Sequence, residues 1–232
     1  MDKKTVIEAA VNAFRSEKYV YERFLNGVVD SFSLQPELNA YGNPIIYTVK
    51  SRIKDIDHLR EKISRKWSDD DPISPENVFE KITDLAGVRI LHLYQDQFPH
   101  IHNHIMSQIE SGDWFFREAP VAYSWDPEAS EFFKSLGLDA KTRDTYYTSI
   151  HYVISPKADS HVYCEVQVRT LFEEIWGEID HTLNYPVPTT SRSCKEQLRV
   201  LSKLVSTGTR LADSIFRSQQ DSLSGTDVKP IS

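Results

Sequence analysis

The chain has 232 residues, of which 40% are hydrophobic and 26% are charged, values that are ordinary for a globular protein. Its formal net charge of −7 argues against broad, non-specific binding to nucleic acid, although it leaves room for a local basic pocket. The first residues are interrupted by charge, and no apolar run approaches the roughly 20 residues of a membrane helix. We therefore expect a cytoplasmic protein without a membrane partner.

Basic residues mark the first third of the chain. One long amphipathic helix, or two with a break near residues 16–18, is predicted over residues 3–33. After a turn-rich stretch a strand is predicted over residues 45–52, followed by a helix. A cationic ridge runs along the end of this strand and one side of the helix: Arg52, Lys54, His58, Lys62 and Arg65. The ordinary alternative is a solvated face with helix salt bridges. Because Lys62 has no acidic neighbour three or four residues away, we favour a polyphosphate site made by side chains, since no glycine-rich phosphate loop is present.

A carboxylate is predicted at the mouth of the next strand. Ser74 is a good N-cap for a helix that should end near residues 84–87. Residues 88–93 are then predicted to form a buried strand, which places Asp84 just before it and Arg89 on it. A candidate carboxylate thus lies one strand away from the cationic ridge.

The middle of the chain is predicted to alternate helices and strands. The expected elements are a helix at residues 98–110, a strand at 113–123, a short helix at 128–136, a loop at 137–144 and a strand at 145–155. The first of these helices carries three histidines, but only His100 and His104 share a face and no HExxH motif is present. We therefore do not predict a zinc site there.

The stretch HVYCEVQVR, residues 161–169, is the most informative strand. With a period of two, its apolar residues, including Cys164, point to one face. The opposite face carries Glu165, Gln167 and Arg169, about 7 Å apart. An antiparallel strand with one wet face is the ordinary alternative, but a carboxylate, an amide and a guanidinium in line predict the floor of a site.

Two further helices are predicted at the C-terminal end. One covers residues 170–183 and is stopped by Pro186, and the other is amphipathic over residues 196–216. Gly208 fills a gap in the apolar stripe of the second helix, where it either weakens the helix or admits a close neighbour. This helix could cover the core or join a partner chain, which leaves a homo-oligomer open. Residues 218–232 are predicted to be a loose tail.

Together these residues predict nucleotide phosphoryl chemistry. Magnesium is usually held by one or two carboxylates plus substrate phosphates, and basic side chains neutralise the remaining phosphate charge. Asp84 and Glu165 could supply the carboxylates. Tyr146 and Tyr147, near the start of a strand, could stack on a nucleobase.

Four segments carry a family resemblance: YTVKSRIKDIDHLREKI, ITDLAGVRI, YYTSIHYVI and EVQVRTLFEEIWGEIDHTLNY. In order and spacing they resemble the synthetase domain of RelA/SpoT proteins, especially the single-domain small alarmone synthetases. The resemblance covers roughly residues 40–186. It implies an α/β (α+β) fold with a mixed five-stranded, nucleotidyltransferase-like sheet flanked by helices. An N-terminal helical segment (1–39), a C-terminal helix (187–217) and a flexible tail (218–232) would surround it.

The resemblance also implies a reaction and its residues. The reaction is the Mg²⁺-dependent transfer of pyrophosphate from ATP to the 3′-hydroxyl of GDP or GTP, which makes the alarmone (p)ppGpp. Asp84 and Glu165 would be catalytic and would hold the metal. The ATP-binding residues would be Arg52, Lys54, His58, Lys62 and Arg65, and the acceptor-binding residues would be Arg143, Tyr147, His151, Gln167 and Arg169.

Three departures from the family pattern keep alternatives open. Tyr146 replaces a glycine before the stacking tyrosine, Arg143 replaces a lysine and His58 replaces a serine. One alternative is a toxin-type relative that pyrophosphorylates the tRNA 3′ end or an adenine nucleotide. Another, of a different class, is a nucleotide-binding regulatory module without turnover.

Overall fold

A computed structural model describes residues 2–143, 145–185 and 187–224. Within these ranges six strands form one mixed sheet, in the order β1-β2-β6-β5-β3-β4. The β2–β6 and β3–β4 pairs are parallel and the other pairs are antiparallel. The strands are β1 Thr48–Ile53, β2 Ala86–His92, β3 Phe115–Tyr123, β4 Asp139–Lys141, β5 Ser149–Ser155 and β6 Cys164–Thr170.

Helices flank this sheet. They are α1 Lys3–Ser33, α2 Ile56–Arg65, α3 Val78–Lys81, α4 Phe98–Glu110, α5 Pro127–Ser135, α6 Leu171–Asn184 and α7 Arg192–Ser224, with a 3-10 turn at Gln95–Gln97. The predicted N-terminal segment is a single helix, and its buried Tyr21 donates a hydrogen bond to the carbonyl of His161, 2.6 Å away. The N-terminal helix is thereby tied to the loop that leads into β6. None of the helices in the described ranges is long and apolar enough to cross a membrane.

The apolar face of the sheet forms the core, as the period-two pattern predicted. On β6 the side chains of Cys164, Val166 and Val168 are fully buried, and on β5 so are Tyr152 and Ile154. Burial of the Cys164 thiol raises its pKa, which makes it an inert core residue. The opposite face of the same strands is therefore left to carry polar side chains.

The predicted count of five strands is wrong by one. Residues 139–141, which we predicted as loop, pair in parallel with residues 121–123 of β3 and form the edge strand β4. A three-residue edge strand shows no alternating pattern of its own, because its order comes from the neighbouring strand. The local sequence therefore held no signal for it.

The helix predicted from Ser74 is much shorter than expected. Asn77 accepts a hydrogen bond from the Ser74 backbone N–H, 2.8 Å away, and helix α3 begins only at Val78. The asparagine thus holds the turn that we predicted to be the first turn of the helix. The residues between α3 and β2 are not helical, and Asp84 lies just before the strand, which begins at Ala86.

Helix α7 is longer than predicted, because it begins at Arg192 and continues to Ser224. Residues 218–224, predicted as tail, are therefore helical, while residues 225–232 of the predicted tail lie outside the described ranges, as does the predicted helix stop at Pro186. A Cβ on Gly208 would lie 2.9 Å from the Phe172 ring. This glycine therefore admits a close neighbour from α6.

Candidate active site

Four neighbouring strands turn polar side chains to the face of the sheet opposite the core. The strand register places Lys50 of β1 opposite Arg89 of β2, which lies opposite Gln167 of β6, which lies opposite His151 of β5. Directly opposed residues share a face, so this row crosses the sheet. A second row runs from Arg52 through Gly87 to Glu165.

Two pockets lie on this floor, and both are lined by Glu165 and Gln167. We call the first the cationic pocket, because its volume of about 180 Å³ is bordered by Lys50, Arg52 and Arg89. We call the second, of about 370 Å³, the aromatic pocket; its polar and aromatic lining includes Tyr123, Arg143, Tyr147 and His151. Two chemically different compartments therefore meet at one carboxylate.

That carboxylate belongs to a closed ring of hydrogen-bonded side chains. Glu165 Oε1 lies 3.0 Å from His151 Nδ1, and His151 Nε2 lies 3.0 Å from the Tyr147 hydroxyl. Arg169 donates to the Tyr147 hydroxyl, 2.8 Å away, and to Gln167 Oε1. Gln167 Nε2 donates to Glu165 Oε2 over 2.9 Å. The ring fixes all five side chains and connects Glu165 to the aromatic pocket.

The ring also sets the charge of Glu165. Burial opposes its ionisation and so does the charge of Asp84, but the hydrogen bonds from His151 and Gln167 prevail and hold its pKa below the ordinary value. The side chain is only 20% exposed. Glu165 is therefore an ionised carboxylate near neutral pH, and His151 donates a hydrogen bond to it.

Asp84 lies where the cationic ridge meets the sheet. Lys54 Nζ donates to its Oδ2 over 2.8 Å, and Lys62 Nζ donates to its Oδ1 over 2.6 Å. Burial acts against ionisation here as well, but the two lysines hold the pKa of Asp84 at about 2. The acidic partner that Lys62 lacked on its own helix is thus supplied from the chain before β2.

Sequence reasoning missed a buried glutamate, Glu174 of α6. Its Oε1 accepts hydrogen bonds from Lys50, 3.0 Å away, and Arg89, 2.8 Å away, and its Oε2 lies 3.3 Å from Arg169. Lys50 and Arg89 also belong to the site, although we gave neither a role. For Lys50 the signal was its two-residue spacing from Arg52, and for Arg89 it was its position on the strand that follows Asp84. Burial of Glu174 depends on helix packing and had no local signal.

Of the five predicted ATP-binding residues, only Arg52 lines one of the two pockets. Lys54 and Lys62 contact Asp84 instead, and the other two lie farther out on α2. His58 lies on the exposed side of α2, with Nδ1 3.9 Å from the N-cap carboxylate of Asp55. The guanidinium of Arg65 lies 5.8 Å from the ring centroid of Tyr185. Both side chains project from the same helix as Lys62, but the structure leaves them at its outer edge.

Arg143 and Tyr146, two of the departures from the family pattern, point in different directions. The Arg143 guanidinium lies 3.7 Å from the Tyr123 ring centroid and 5.4 Å from that of Tyr147. The Tyr146 ring instead packs edge-on against Trp125, 5.4 Å away between centroids, and does not line the aromatic pocket. The bulky tyrosine therefore leaves that pocket open.

Residues 51–190 match the family model described as a region found in RelA / SpoT proteins. Because this match covers more than half of the chain, the chain belongs to the RelA/SpoT family. The resemblance inferred from four sequence segments is thus confirmed.

Several named proteins and solved structures are similar to this chain. GTP pyrophosphokinase YwaC of Bacillus subtilis (strain 168) is 28% identical over 193 residues, which are 79% of each chain. Small alarmone synthetase 1 from Bacillus subtilis has a similar fold, with a TM-score of 0.67 at 21% identity over 90% of this chain and 99% of that one. Its complex with the product pppGpp gives a TM-score of 0.66 at 20% identity, over 88% and 98%. These likenesses confirm the mixed α+β fold.

Proposed function

We propose that the chain transfers pyrophosphate from ATP to the 3′-hydroxyl of GDP or GTP and so makes (p)ppGpp. The observation that carries this proposal is that a cationic and an aromatic pocket share Glu165. A polyphosphate suits the first pocket and a nucleobase the second. Support also comes from the relatives, one named as a GTP pyrophosphokinase and one crystallised with pppGpp.

The donor ATP would occupy the cationic pocket. Lys50, Arg52 and Arg89 line it, and Lys54 and Lys62 meet at Asp84 beside it. Fixed cations stabilise the charge that spreads over the phosphate oxygens in the transition state. The lysines would then exchange part of their contact with Asp84 for contact with phosphate.

The two carboxylates fit a magnesium ion. Both have pKa values below the ordinary range, so both are ionised at neutral pH, and the charge of Asp84 acts on Glu165. Mg²⁺ commonly takes one or two protein carboxylates and completes its shell with phosphate oxygens and water. Asp84 and Glu165 would hold the ion, which would neutralise charge on the phosphate groups of the substrate.

The acceptor nucleotide would occupy the aromatic pocket. The Tyr147 ring offers a stacking surface for the base, and Arg143 lies over two aromatic rings where it could meet the acceptor phosphates. The 3′-oxygen attacks the β-phosphorus of ATP, the bond from that phosphorus to the AMP oxygen breaks, and the hydroxyl proton passes to Glu165. His151 donates a hydrogen bond from Nδ1 to Glu165 and so orients the carboxylate that receives the proton.

Product identification tests the proposal. The purified chain is incubated with Mg²⁺, γ-labelled ATP and, in separate tubes, GDP, GTP, adenine nucleotides or bulk tRNA, and the products are separated by thin-layer chromatography. Label on a guanosine nucleotide is the expected result. Label on tRNA or adenosine would move the chain to the toxin-type reaction, and ATP binding without transfer would identify a regulatory module.

Glu165→Gln provides the decisive control. We expect it to fold normally and to lower kcat by at least about a hundredfold, because the charged group at the reacting centre is lost. Glu110→Gln, at the exposed end of α4, is the matched control and should retain full activity. Turnover by Glu165→Gln at the wild-type rate would exclude Glu165 as a catalytic residue.

A further inference from the structure

A third cavity lies under helix α7 and shares no lining residue with the cationic or aromatic pocket. Its volume is about 300 Å³. Its walls come from α5, α6, α7 and the segment before β5, and we call it the α7 cavity. The lining residues that matter here are Trp125, Asp126, Tyr146, Glu173, Trp176 and Asp213. The proposed reaction uses none of them.

Two carboxyl groups in this cavity lack a counter-ion. Asp213 is 5% exposed, and its carboxylate accepts a hydrogen bond from the Asp96 backbone N–H, 2.9 Å away. Glu173 accepts one from the backbone N–H of Thr170 over 2.7 Å. Neither carboxyl group has a basic side chain within ion-pair distance in the described parts of the chain. Buried carboxylates are ordinarily paired with a cation.

The two arginines that line the cavity already form ion pairs with other carboxylates. Arg210 pairs with Asp126, 3.1 Å away, and with Glu128, while Arg217 pairs with Asp96. Counting every lining residue, five carboxylates face two guanidiniums. Burial raises the pKa of Asp213, and the charge of Asp96 adds to this effect. Burial raises the pKa of Glu173 to about 7. The cavity is therefore electronegative and would reject phosphates.

Aromatic rings complete the lining. Trp125 and Tyr146 meet edge to face, and Trp176 is fixed because its indole N–H donates to the Leu198 carbonyl, 3.0 Å away. Aromatic faces beside carboxylates attract organic ammonium groups, whose alkyl stems also pack on the rings. A bare metal ion fits less well, because no three metal-ligating side chains are grouped in the part of the chain that the structure describes.

We propose that the α7 cavity binds a small aliphatic amine, with its ammonium group at Asp213 and its alkyl chain against Trp125 and Tyr146. Occupation by an ammonium group would supply the missing counter-charge. This binding is independent of the proposed pyrophosphate transfer, since it needs neither nucleotide nor catalytic residue.

Isothermal titration calorimetry of the full chain without nucleotide tests this proposal. The probes are butylamine and 1,4-diaminobutane, with 1-butanol as the uncharged control, all at matched ionic strength. We expect saturable binding of at least one amine and none of the alcohol. Equal binding of 1-butanol, or no saturable binding of either amine, would overturn the proposal.

Variants then locate the site. Asp213→Asn keeps an oxygen that can accept from the Asp96 N–H, so the fold should survive, while amine affinity should fall at least tenfold. Tyr146→Leu should weaken amine binding several-fold through loss of the aromatic ring. This variant tests the cavity if Asp213→Asn does not fold. Glu110→Gln should bind as wild type. Wild-type affinity in both cavity variants would place the amine elsewhere and refute the assignment.

Discussion

Tyr147 combines two chemically separable contributions at the aromatic pocket. In the proposed reaction its ring would stack on the acceptor base, whereas its hydroxyl connects Arg169 with His151 in the hydrogen-bond ring. We therefore expect Tyr147→Ala to raise the acceptor KM by roughly tenfold or more, as loss of a stacking platform does, with little change in the ATP KM.

The conservative variant separates the ring from the hydroxyl. Tyr147→Phe retains the stacking face but leaves His151 and Arg169 without their shared partner, so we expect kcat to fall while the acceptor KM stays near that of the wild type. Steady-state kinetics with each substrate varied in turn measure both variants. Equal effects of Tyr147→Ala on the two KM values would remove Tyr147 from the acceptor site.

For individual site residues, the sequence was informative where side chains alternate along one strand. Glu165, Gln167 and Arg169 could be predicted as one face of β6 because a period of two is a local property. Glu174 could not, because it reaches Lys50 and Arg89 across the space between a helix and two strands. Contacts of this kind depend on packing, which no single segment encodes.

At the start of helix α6, a residue of the N-terminal cap has a raised pKa. Thr170 caps the helix by accepting from the Glu173 N–H, and Glu173 accepts in return from the Thr170 N–H, which forms a capping box. Burial raises the pKa of Glu173 from its ordinary value of 4.5 to about 7. The folded state thus binds this proton more tightly than the unfolded state does.

Glu173 should therefore make the protein less stable as the pH rises. Its stabilising contribution is complete below pH 4.5 and is lost as the pH rises to about 7, a change of up to about 3 kcal/mol. Glu173→Gln keeps the cap acceptor but cannot titrate. Urea unfolding between pH 4.5 and 8.5 should show that the free energy of unfolding of the variant rises with pH relative to that of the wild type. The same pH dependence in both proteins would contradict the raised pKa.

The contact between α6 and α7 gives a second test at the scale of elements. Alanine at position 208 would favour the helix by about 1 kcal/mol, but its Cβ would lie 2.9 Å from the Phe172 ring, and overpacking costs roughly 1 to 3 kcal/mol. We expect Gly208→Ala to destabilise the wild type slightly.

The same substitution in a Phe172→Ala background should instead stabilise the protein, because the obstructing ring is gone. Urea unfolding of the single and double variants gives the coupling energy between the two positions. If Gly208→Ala has the same effect in both backgrounds, the close approach of the two helices is not what requires the glycine.

Elements with strong internal periodicity were predicted well, and those that depend on a neighbour were not. The helix over residues 3–33 carries its apolar stripe within itself, and its bounds were confirmed. Strand β4 exists only because β3 offers it an edge, and α3 is short because Asn77 holds the preceding turn.

On the scale of the whole molecule, the shared wall between the two pockets predicts the kinetic order. Because Glu165 and Gln167 border both pockets, transfer should occur directly between two nucleotides bound together. Initial velocities at varied ATP and acceptor should give intersecting double-reciprocal lines. Parallel lines, or exchange of labelled AMP into ATP without an acceptor, would point to a covalent intermediate instead.

The position of β6 has a consequence for biosynthesis. Within the ranges that the structure describes it is the last strand in sequence, yet it lies between β2 and β5 in the sheet. Until Cys164–Thr170 has left the ribosome, the growing polypeptide holds two separate groups of strands, each with an unpaired edge. The same segment carries Glu165, so a nascent chain would complete its sheet and gain the carboxylate that borders both pockets in one late event.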